Sequence, residues 1–375
     1  MTDSSPATTK TPIPKSVSQR VRSILKLVLI NFLVFALLAE FVSLILVNRK
    51  SWPASKPSYR LNYNSYWADI NPSFGVWHRP NSHFVHEGGC FTVEYDTNSY
   101  GARDSERALH SSAPRTIVLG DSFVEGLGVP VQDRLSNILE KDTGREHLNF
   151  GTQGDFGPLQ YALLYKTMAS KFDHNLVIVS VLPDNDFHDM SLEYWKSTGR
   201  GGRYRPYYAD DFSVFHTGHF DPNAGESLGD RAEAVLRACL ASYHVGQYLY
   251  SRMFWRNHGA YSGYNDYTGV DLARLQHALQ DIKNTADAHG ARVAVFLVPS
   301  ASDFLRLHQA GADRLGPVME NWGRAAGIPV KDLLPEMDAR AHDDFMSYFL
   351  PCNGHWSAKG GAVAAQILEP WLAEK

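Results

Sequence analysis

The stretch from Thr116 to Phe123 constrains this chain most, because an apolar segment runs directly into a Gly-Asp-Ser turn. Residues 116–119 are mostly β-branched and apolar, which indicates a buried strand of a parallel sheet. Ser122 would then lie at the carboxyl edge of the sheet, where open α/β folds bind ligands. Gly-Asp-Ser is also ordinary turn chemistry, so the tripeptide alone does not define a site.

Strand and helix patterns alternate along the rest of the chain. Further strands are predicted at 147–150, 176–182 and 292–298, with a weaker one at 328–330. Helices are predicted near 134–141, 159–170, 270–289 and 358–373. This alternation predicts an α/β fold with a doubly wound parallel sheet.

The alternation breaks at an insertion of about residues 187–269. Long insertions at the carboxyl ends of strands are usually lids or substrate-binding loops, so we expect an inserted lid. A helix-like segment at 231–256 follows a polar, aromatic and Gly-rich part. That part mixes aromatic and basic residues, which would either suit sugar rings and acidic groups or form the lid's own core: Trp195, Tyr204, Tyr207, Tyr208, Arg200, Arg203 and Arg205.

The amino-terminal region divides into three parts. Residues 1–26 are predicted to be a disordered basic tail. Leu27–Val47 is apolar over about 30 Å at 1.5 Å per residue and is too long for a cleaved signal peptide, so it predicts a transmembrane signal anchor. Glu40 within it either contacts a partner helix of another membrane protein or lies near enough to the far interface to be tolerated. Residues 48–110 read as a loop-rich module with short strands, one of them in Cys90–Tyr95.

The charge distribution and the cysteine content limit the cellular location and the kinds of partner that the protein can have. Five basic residues precede the apolar segment and four follow it, which places the main domain outside the cytoplasm. We therefore expect a single-pass protein of the inner (plasma) membrane with a periplasmic or extracellular domain. A net charge of −4 argues against a nucleic-acid partner. Three cysteines permit one disulfide plus a free thiol, or three free thiols.

Polar groups follow the predicted strands in an order that suits acyl transfer. Such chemistry needs a nucleophile, a base and donors for the developing oxyanion. Ser122 and His355 would be nucleophile and base, while the donors would be the N–H groups of Ser122 and Gly154 and the amide of Asn185. Neither a dinucleotide-binding G-x-G-x-x-G nor a G-x-S-x-G motif is present at the first strand. His216, His219 and Asp221 are read as loop residues in preference to metal ligands.

Gly120-Asp121-Ser122-Phe123, Gly154, Asn185 and His355, in this order, resemble the four blocks of the SGNH/GDSL hydrolase family. The similarity covers roughly residues 97–373 without the insertion. The Asn98–Asp104 stretch also resembles a membrane-anchored bacterial subgroup. The resemblance implies an SGNH hydrolase-like fold with flavodoxin-like layering and a metal-free serine mechanism without a cofactor. It also implies ester chemistry on acylated glycans or lipids, by hydrolysis or O-acetyl transfer.

The chain departs from this family before the histidine, where an aspartate is usual. Here Asn353 and Cys352 occupy those positions. Asn353 can orient His355 through its side-chain oxygen, as asparagine does in Cys-His-Asn proteases, but it carries no charge. Alternatively, a carboxylate from elsewhere fills the role, and the candidates are Asp184, Asp338, Asp343 and Asp344. Cys352 is read as a packing or disulfide residue in preference to a nucleophile.

The sequence thus predicts a membrane-anchored serine esterase or O-acyltransferase that acts on O-acyl, mainly acetyl, esters of envelope glycans or lipids. The alternative is a catalytically degenerate envelope protein that binds acylated glycan, and Asn353 is the feature that keeps this reading open.

Overall fold

The computed structural model describes residues 17–49, 52, 54–61, 66–223, 228–255, 261–310 and 315–374. Its centre is a parallel sheet of five strands. In chain order, the strands of the described part are β1 (Trp67–Asn71), β2 (Gly75–His78), β3 (His83–Glu87), β4 (Thr92–Asp96), β5 (Arg115–Gly120), β6 (Glu146–Gly151), β7 (Leu176–Val181), β8 (Arg205–Tyr208), β9 (Val214–Thr217), β10 (Arg292–Leu297) and β11 (Val330–Asp332).

The central sheet has the order β6-β5-β7-β10-β11, with every neighbouring pair parallel. Counted along the sheet's own strands this is 2-1-3-4-5, the flavodoxin-like order. The predicted doubly wound sheet is therefore confirmed. β5 and β7 are buried along their whole length, as central strands covered on both faces must be. The order reverses between them, and ligands bind at such switch points.

Helices cover both faces of the sheet. The α-helices of the described part are α1 (Val17–Val47), α2 (Ser122–Glu125), α3 (Leu135–Thr143), α4 (Pro158–Thr167), α5 (Pro183–Asp189), α6 (Leu192–Ser197), α7 (Leu228–Cys239), α8 (Ala241–Trp255), α9 (Gly269–Ala288), α10 (Ala301–Ala310), α11 (Leu315–Ala326), α12 (Leu334–Ala341) and α13 (Ala358–Ala373). α3 packs with α13, and α4 packs with α9. Sequence periodicity did not predict α10, α11 and α12.

The amino-terminal helix differs from its prediction at one end. α1 begins at Val17 and is continuous to Val47, so residues 17–26 are helical and the prediction of a disordered tail is wrong for them. Residues 1–16 lie outside the described part. The basic side chains at 20, 22 and 26 extend the helix without interrupting it, because Lys and Arg are good helix formers. α1 is long and apolar enough to cross a membrane.

Short strands make up the module after α1. β1 pairs with β2 and β3 pairs with β4, both antiparallel. Side chains of this module share a second hydrophobic core with the end of α1, with α8 and with two loops of the main domain. Its buried members are Val47, Ala54, Tyr66, Phe91, Val93, Tyr95, Leu127, Ala241, Tyr248, Leu350 and Cys352. The module is thus packed into the domain.

The insertion is also packed, and its basic residues bind the protein's own carboxylates. Arg203 forms ion pairs with Asp69 at 3.1 Å and with Asp155 at 2.9 Å. Arg205 pairs with Asp189 at 3.2 Å, and its guanidinium lies over the Trp195 ring. These contacts favour the reading of the segment as a core of its own over a surface for acidic groups.

Candidate active site

Ser122 lies where β5 ends, at the switch point of the sheet. It opens the short helix α2, whose first turn is capped by Asp121, the acceptor for the Phe123 N–H at 2.9 Å. The helix ends at Gly126, which has a φ of 79°. A side chain there would also meet Arg134 Cγ at 2.3 Å, so only glycine fits. Strand, cap and left-handed stop together fix the serine at the carboxyl edge.

The structure brings Ser122, His355 and Asn353 together. Ser122 Oγ lies 2.8 Å from His355 Nε2. On the other side of the ring, His355 Nδ1 lies 3.2 Å from Asn353 Oδ1, and the backbone N–H of His355 donates to the same oxygen at 3.0 Å. The backbone donor requires an oxygen there, so Nδ1 carries the ring proton and donates it to Asn353. Nε2 is then free to accept the proton of the Ser122 hydroxyl.

The electrostatics keep His355 neutral. Burial lowers the pKa of His355 to about 4, against a smaller opposing effect of Glu125. The Phe123 ring packs against the imidazole, with 5.1 Å between the ring centroids, which accounts for part of this desolvation. At neutral pH the histidine is therefore an unprotonated base. Asn353 orients it but adds no charge to stabilise the imidazolium.

The carboxylates that could have replaced the family's aspartate lie in other surroundings. Asp184 is in α5, where burial and the nearby Asp303 raise its pKa to about 7. Asp343 and Asp344 are exposed, and Asp344 Oδ2 is 3.6 Å from Lys359 Nζ. Asp338 lies in α12. The position at His355 Nδ1 is held by the Asn353 amide.

The predicted oxyanion donors lie at the same edge of the sheet. Asn185 is in α5, directly after β7, and its Nδ2 donates to Asp121 Oδ2 at 3.3 Å. Gly154 follows β6, the neighbour of β5, and has a φ of 108°. A side chain at Gly154 would meet Val76 Cγ2 at 2.8 Å, so the position requires glycine for two reasons. Burial raises the pKa of Asp121 to about 6.

A buried arginine supports the loop after Ser122 and α2. The Arg103 guanidinium donates to the carbonyl oxygens of Glu125 at 2.8 Å, Gly126 at 2.7 Å and Val129 at 2.9 Å, and it lies over the Tyr95 ring. Arg103 belongs to the 98–104 stretch that resembles a family motif, but the sequence alone did not indicate its role. The sequence feature that could have indicated this role is a basic residue, Arg103, within an otherwise turn-like stretch.

Glu125, three residues after Ser122, is a second supporting residue that the sequence analysis missed. Its carboxylate is fully buried and accepts from Trp67 Nε1 at 2.9 Å and from the Gln153 N–H at 2.6 Å, and His78 Nε2 lies 3.1 Å away. It therefore ties the nucleophile helix to the amino-terminal module and to the loop that carries Gly154. The one sequence feature that could have indicated this role is the position of Glu125 directly after the Gly-Asp-Ser turn.

A disulfide holds the histidine loop. Cys352 is bonded to Cys90 of the β3–β4 connection, and Cys239 is a free, exposed thiol. Of the two cysteine arrangements that the sequence permits, the structure has one bridge and one free thiol. Because Cys352 is bonded, it has no thiolate with which to act as a nucleophile.

The sheet order and the serine–histidine pair at its switch point agree with the fold that the resemblance to SGNH/GDSL hydrolases implies. No family model and no curated protein matches the chain.

Solved structures of G-D-S-L and related lipolytic proteins are similar to it. A lipolytic protein of the G-D-S-L family from Desulfitobacterium hafniense is 10% identical over 68% of this chain and 98% of its own, with a TM-score of 0.38. A G-D-S-L family member from Veillonella parvula is 12% identical over 68% and 95%, with a TM-score of 0.37. A lipase/acylhydrolase from Enterococcus faecalis is 12% identical over 69% and 96%, with a TM-score of 0.36.

Proposed function

We propose that this protein is a membrane-anchored serine esterase. The observation that carries the proposal is the hydrogen-bonded series from Ser122 Oγ through the His355 ring to Asn353 Oδ1. His355 Nε2 takes the hydroxyl proton as Ser122 Oγ attacks an ester carbonyl, and the N–H groups of Ser122 and Gly154 and the Asn185 amide stabilise the oxyanion. The alcohol then leaves with that proton. Water or a second hydroxyl next attacks the acyl-serine carbonyl, which transfers the acyl group to the attacking oxygen and restores the Ser122 hydroxyl.

The substrate class we propose is an O-acyl ester, mainly acetyl, of envelope glycans or lipids. The support is the sequence resemblance together with the anchor. The Cys90–Cys352 disulfide supports a domain outside the cytoplasm, since such bonds persist in oxidising compartments. Transfer to a sugar hydroxyl in place of water remains part of the proposal, because both reactions share the acyl-serine.

The test is a comparison of acetate release and acetyl transfer by the full-length protein. It is incubated with a panel of acetylated saccharides, with and without an unacetylated saccharide acceptor. Free acetate without a newly acetylated acceptor supports hydrolysis, and a newly acetylated acceptor supports transfer. The matched control is Ser122→Ala, which should lose both products.

One observation favours a second candidate. Asn353 leaves the imidazolium without a compensating charge, as a site that only binds acylated glycan would tolerate. Retained binding of an acetylated saccharide by wild type and Ser122→Ala, with neither acetate release nor transfer by wild type, would favour the binding protein.

A further inference from the structure

The amphipathic helix α7 carries an apolar stripe that its own domain leaves exposed. Leu228, Val235 and Leu236 are 85%, 40% and 44% exposed. Ala232 and Cys239 are exposed as well. At 100° per residue these five positions fall within one arc of about 100°, the width of an apolar helix face. These five positions form a continuous stripe, and Leu249, Tyr250 and Met253 of the next helix, α8, are also exposed, at 52%, 60% and 60%.

The side of α7 that carries Arg237 and Ala238 is attached to the domain. Ala238 is buried, and Arg237 Nη1 donates to the backbone oxygen of Glu87 at 3.2 Å. Arg237 also pairs with Glu233 one turn earlier. The helix is therefore held with its polar face inward or towards water and its apolar stripe outward. Arg231 lies exposed at the margin of the stripe, where a basic side chain suits anionic headgroups.

Glu40 connects this helix to the predicted membrane span. Its carboxylate accepts from the backbone N–H groups of Ala241 at 2.8 Å and Ser242 at 3.0 Å, the first residues of α8. Only Leu240 separates α8 from the end of α7. Of the two readings of Glu40 in the sequence, a polar contact to a helix is the one found, but the helix belongs to the same chain.

The position of Glu40 along α1 gives the depth of this junction. At 1.5 Å per residue, Glu40 lies about 21 Å from Lys26 and about 30 Å from Arg20, and a hydrocarbon core is about 30 Å thick. With Lys26 at the near interface, Glu40 and the α7–α8 junction bonded to it lie about 9 Å inside the far interface, which is within the depth of about 5–10 Å at which interfacial helices are buried. Residues before Ala39 are exposed along α1, whereas Ser43 and Val47 are buried against the domain, which fits a boundary at this point.

We infer that α7 is an interfacial helix whose stripe of Leu228, Ala232, Val235, Leu236 and Cys239 lies in the surface of the bilayer that α1 crosses. This inference rests on the membrane anchoring proposed above. The occupant of the stripe is lipid, because Glu40 fixes the end of α7 at the depth of the membrane surface. The second hydrophobic core joins α8 to Leu127 and Cys352 beside the site, so the reaction would take place close to the membrane surface.

Cys239 allows a direct test in the full-length protein. With Cys90 and Cys352 bonded, it is the free thiol among the chain's three cysteines. The protein is labelled there with an environment-sensitive fluorophore and reconstituted into phosphatidylcholine–phosphatidylglycerol vesicles with or without lipids that bear a quencher near the headgroup. We expect the quencher lipids to remove most of the emission.

Two relocated labels serve as controls, both in a Cys239→Ser background. A label at Asp230→Cys, on the opposite face of α7, should resist the quencher lipids. A label at Phe35→Cys, in the exposed part of α1, should be quenched by lipids that bear the quencher deep in the acyl chain if the anchor is inserted. A quenched Phe35→Cys label with an unquenched Cys239 label overturns the inference while the anchor stands. If neither the Phe35→Cys label nor the Cys239 label is quenched, both the membrane anchor and this inference are wrong, whereas the proposed esterase chemistry is not affected.

A charge placed in the stripe provides the second test. Leu236→Glu should restore much of the emission of the Cys239 label, whereas Leu305→Glu, at an equally exposed leucine of α10, should leave the quenching unchanged. A Cys239 label that is protected from iodide in water but insensitive to quencher lipids would show that a second copy of the protein covers the stripe, and would contradict the inference.

Discussion

At the scale of single residues, Asn353 is the decisive departure of this site. Its Oδ1 lies in contact with Nδ1 of the histidine ring, where a carboxylate would otherwise form an ion pair with imidazolium. The amide fixes the tautomer, and burial lowers the pKa of His355 while the neutral amide does nothing to oppose it. His355 is therefore unprotonated and able to act as a base at neutral pH, but no adjacent charge stabilises the imidazolium once it forms.

The first prediction concerns the acid limb of the pH profile. Since His355 acts as a neutral base and its pKa is lowered to about 4, kcat/KM on a small acetyl ester should fall only as the pH approaches 4. Asn353→Asp adds a negative charge beside Nδ1, which raises the pKa of His355 and moves this limb to higher pH.

The same variant should also change the rate at neutral pH. We expect Asn353→Asp to raise turnover, because the carboxylate stabilises the imidazolium formed as Ser122 attacks. The measurement is the pH profile of both proteins, with thermal unfolding as the folding control. An unchanged or lower rate in a folded variant would remove Asn353 from the orienting role.

The second prediction concerns the oxyanion donor. Loss of one preorganised donor typically costs about 100- to 1,000-fold in turnover. Asn185→Ala should lose turnover on this scale and remain folded, while Asn284→Ala, the same change on an exposed helical position, should have no effect. Near wild-type turnover for Asn185→Ala would exclude the amide from the site.

At the scale of elements, Ser122 depends for its position on groups from outside its own βα unit. Arg103 holds three carbonyl oxygens of the loop after α2, and Glu125 binds that helix to the amino-terminal module. The histidine loop is held by the disulfide to the same module. Both halves of the serine–histidine pair are thus positioned from residues 66–107, which the family's four blocks do not include.

The third prediction tests this support. Arg103→Lys keeps the charge but cannot reach three carbonyl oxygens in a planar fork. Each buried acceptor left without a donor costs about 1–3 kcal/mol, so the free energy of unfolding should fall by roughly that amount or more. Turnover on a test ester should fall with it. Arg292→Lys, at an exposed arginine at the start of β10, is the matched control. A wild-type unfolding curve for Arg103→Lys would contradict the role.

At the scale of the whole molecule, the parallel sheet was predictable because its strands are continuous apolar runs between helix patterns. The site was predictable because each of its blocks follows such a strand. α11 and α12 escaped prediction because turn-forming residues within them, Gly316, Pro317, Gly323 and Pro335, mask the helical pattern. Arg103 and Glu125 did so because their roles depend on contacts between distant segments. The Cys90–Cys352 pairing spans 262 residues, which no spacing in the sequence indicates.

The fourth prediction concerns topology. A reporter that is active only outside the cytoplasm, fused after Lys375, should be active, because the basic residues before Leu27 favour retention of the amino terminus inside. The same reporter fused before Met1 is the control and should be inactive. A silent carboxyl-terminal fusion, together with an active cytoplasmic reporter at that position, would reverse the proposed location.

The central claim is that His355 activates Ser122 as a nucleophile. Its most direct measurement is labelling of the detergent-solubilised, full-length protein with a fluorophosphonate, followed by mapping of the modified residue by mass spectrometry. The account predicts one adduct on Ser122, absent in Ser122→Ala and strongly slowed in His355→Ala. Failure of the folded wild-type protein to label, or labelling at another residue, would contradict it.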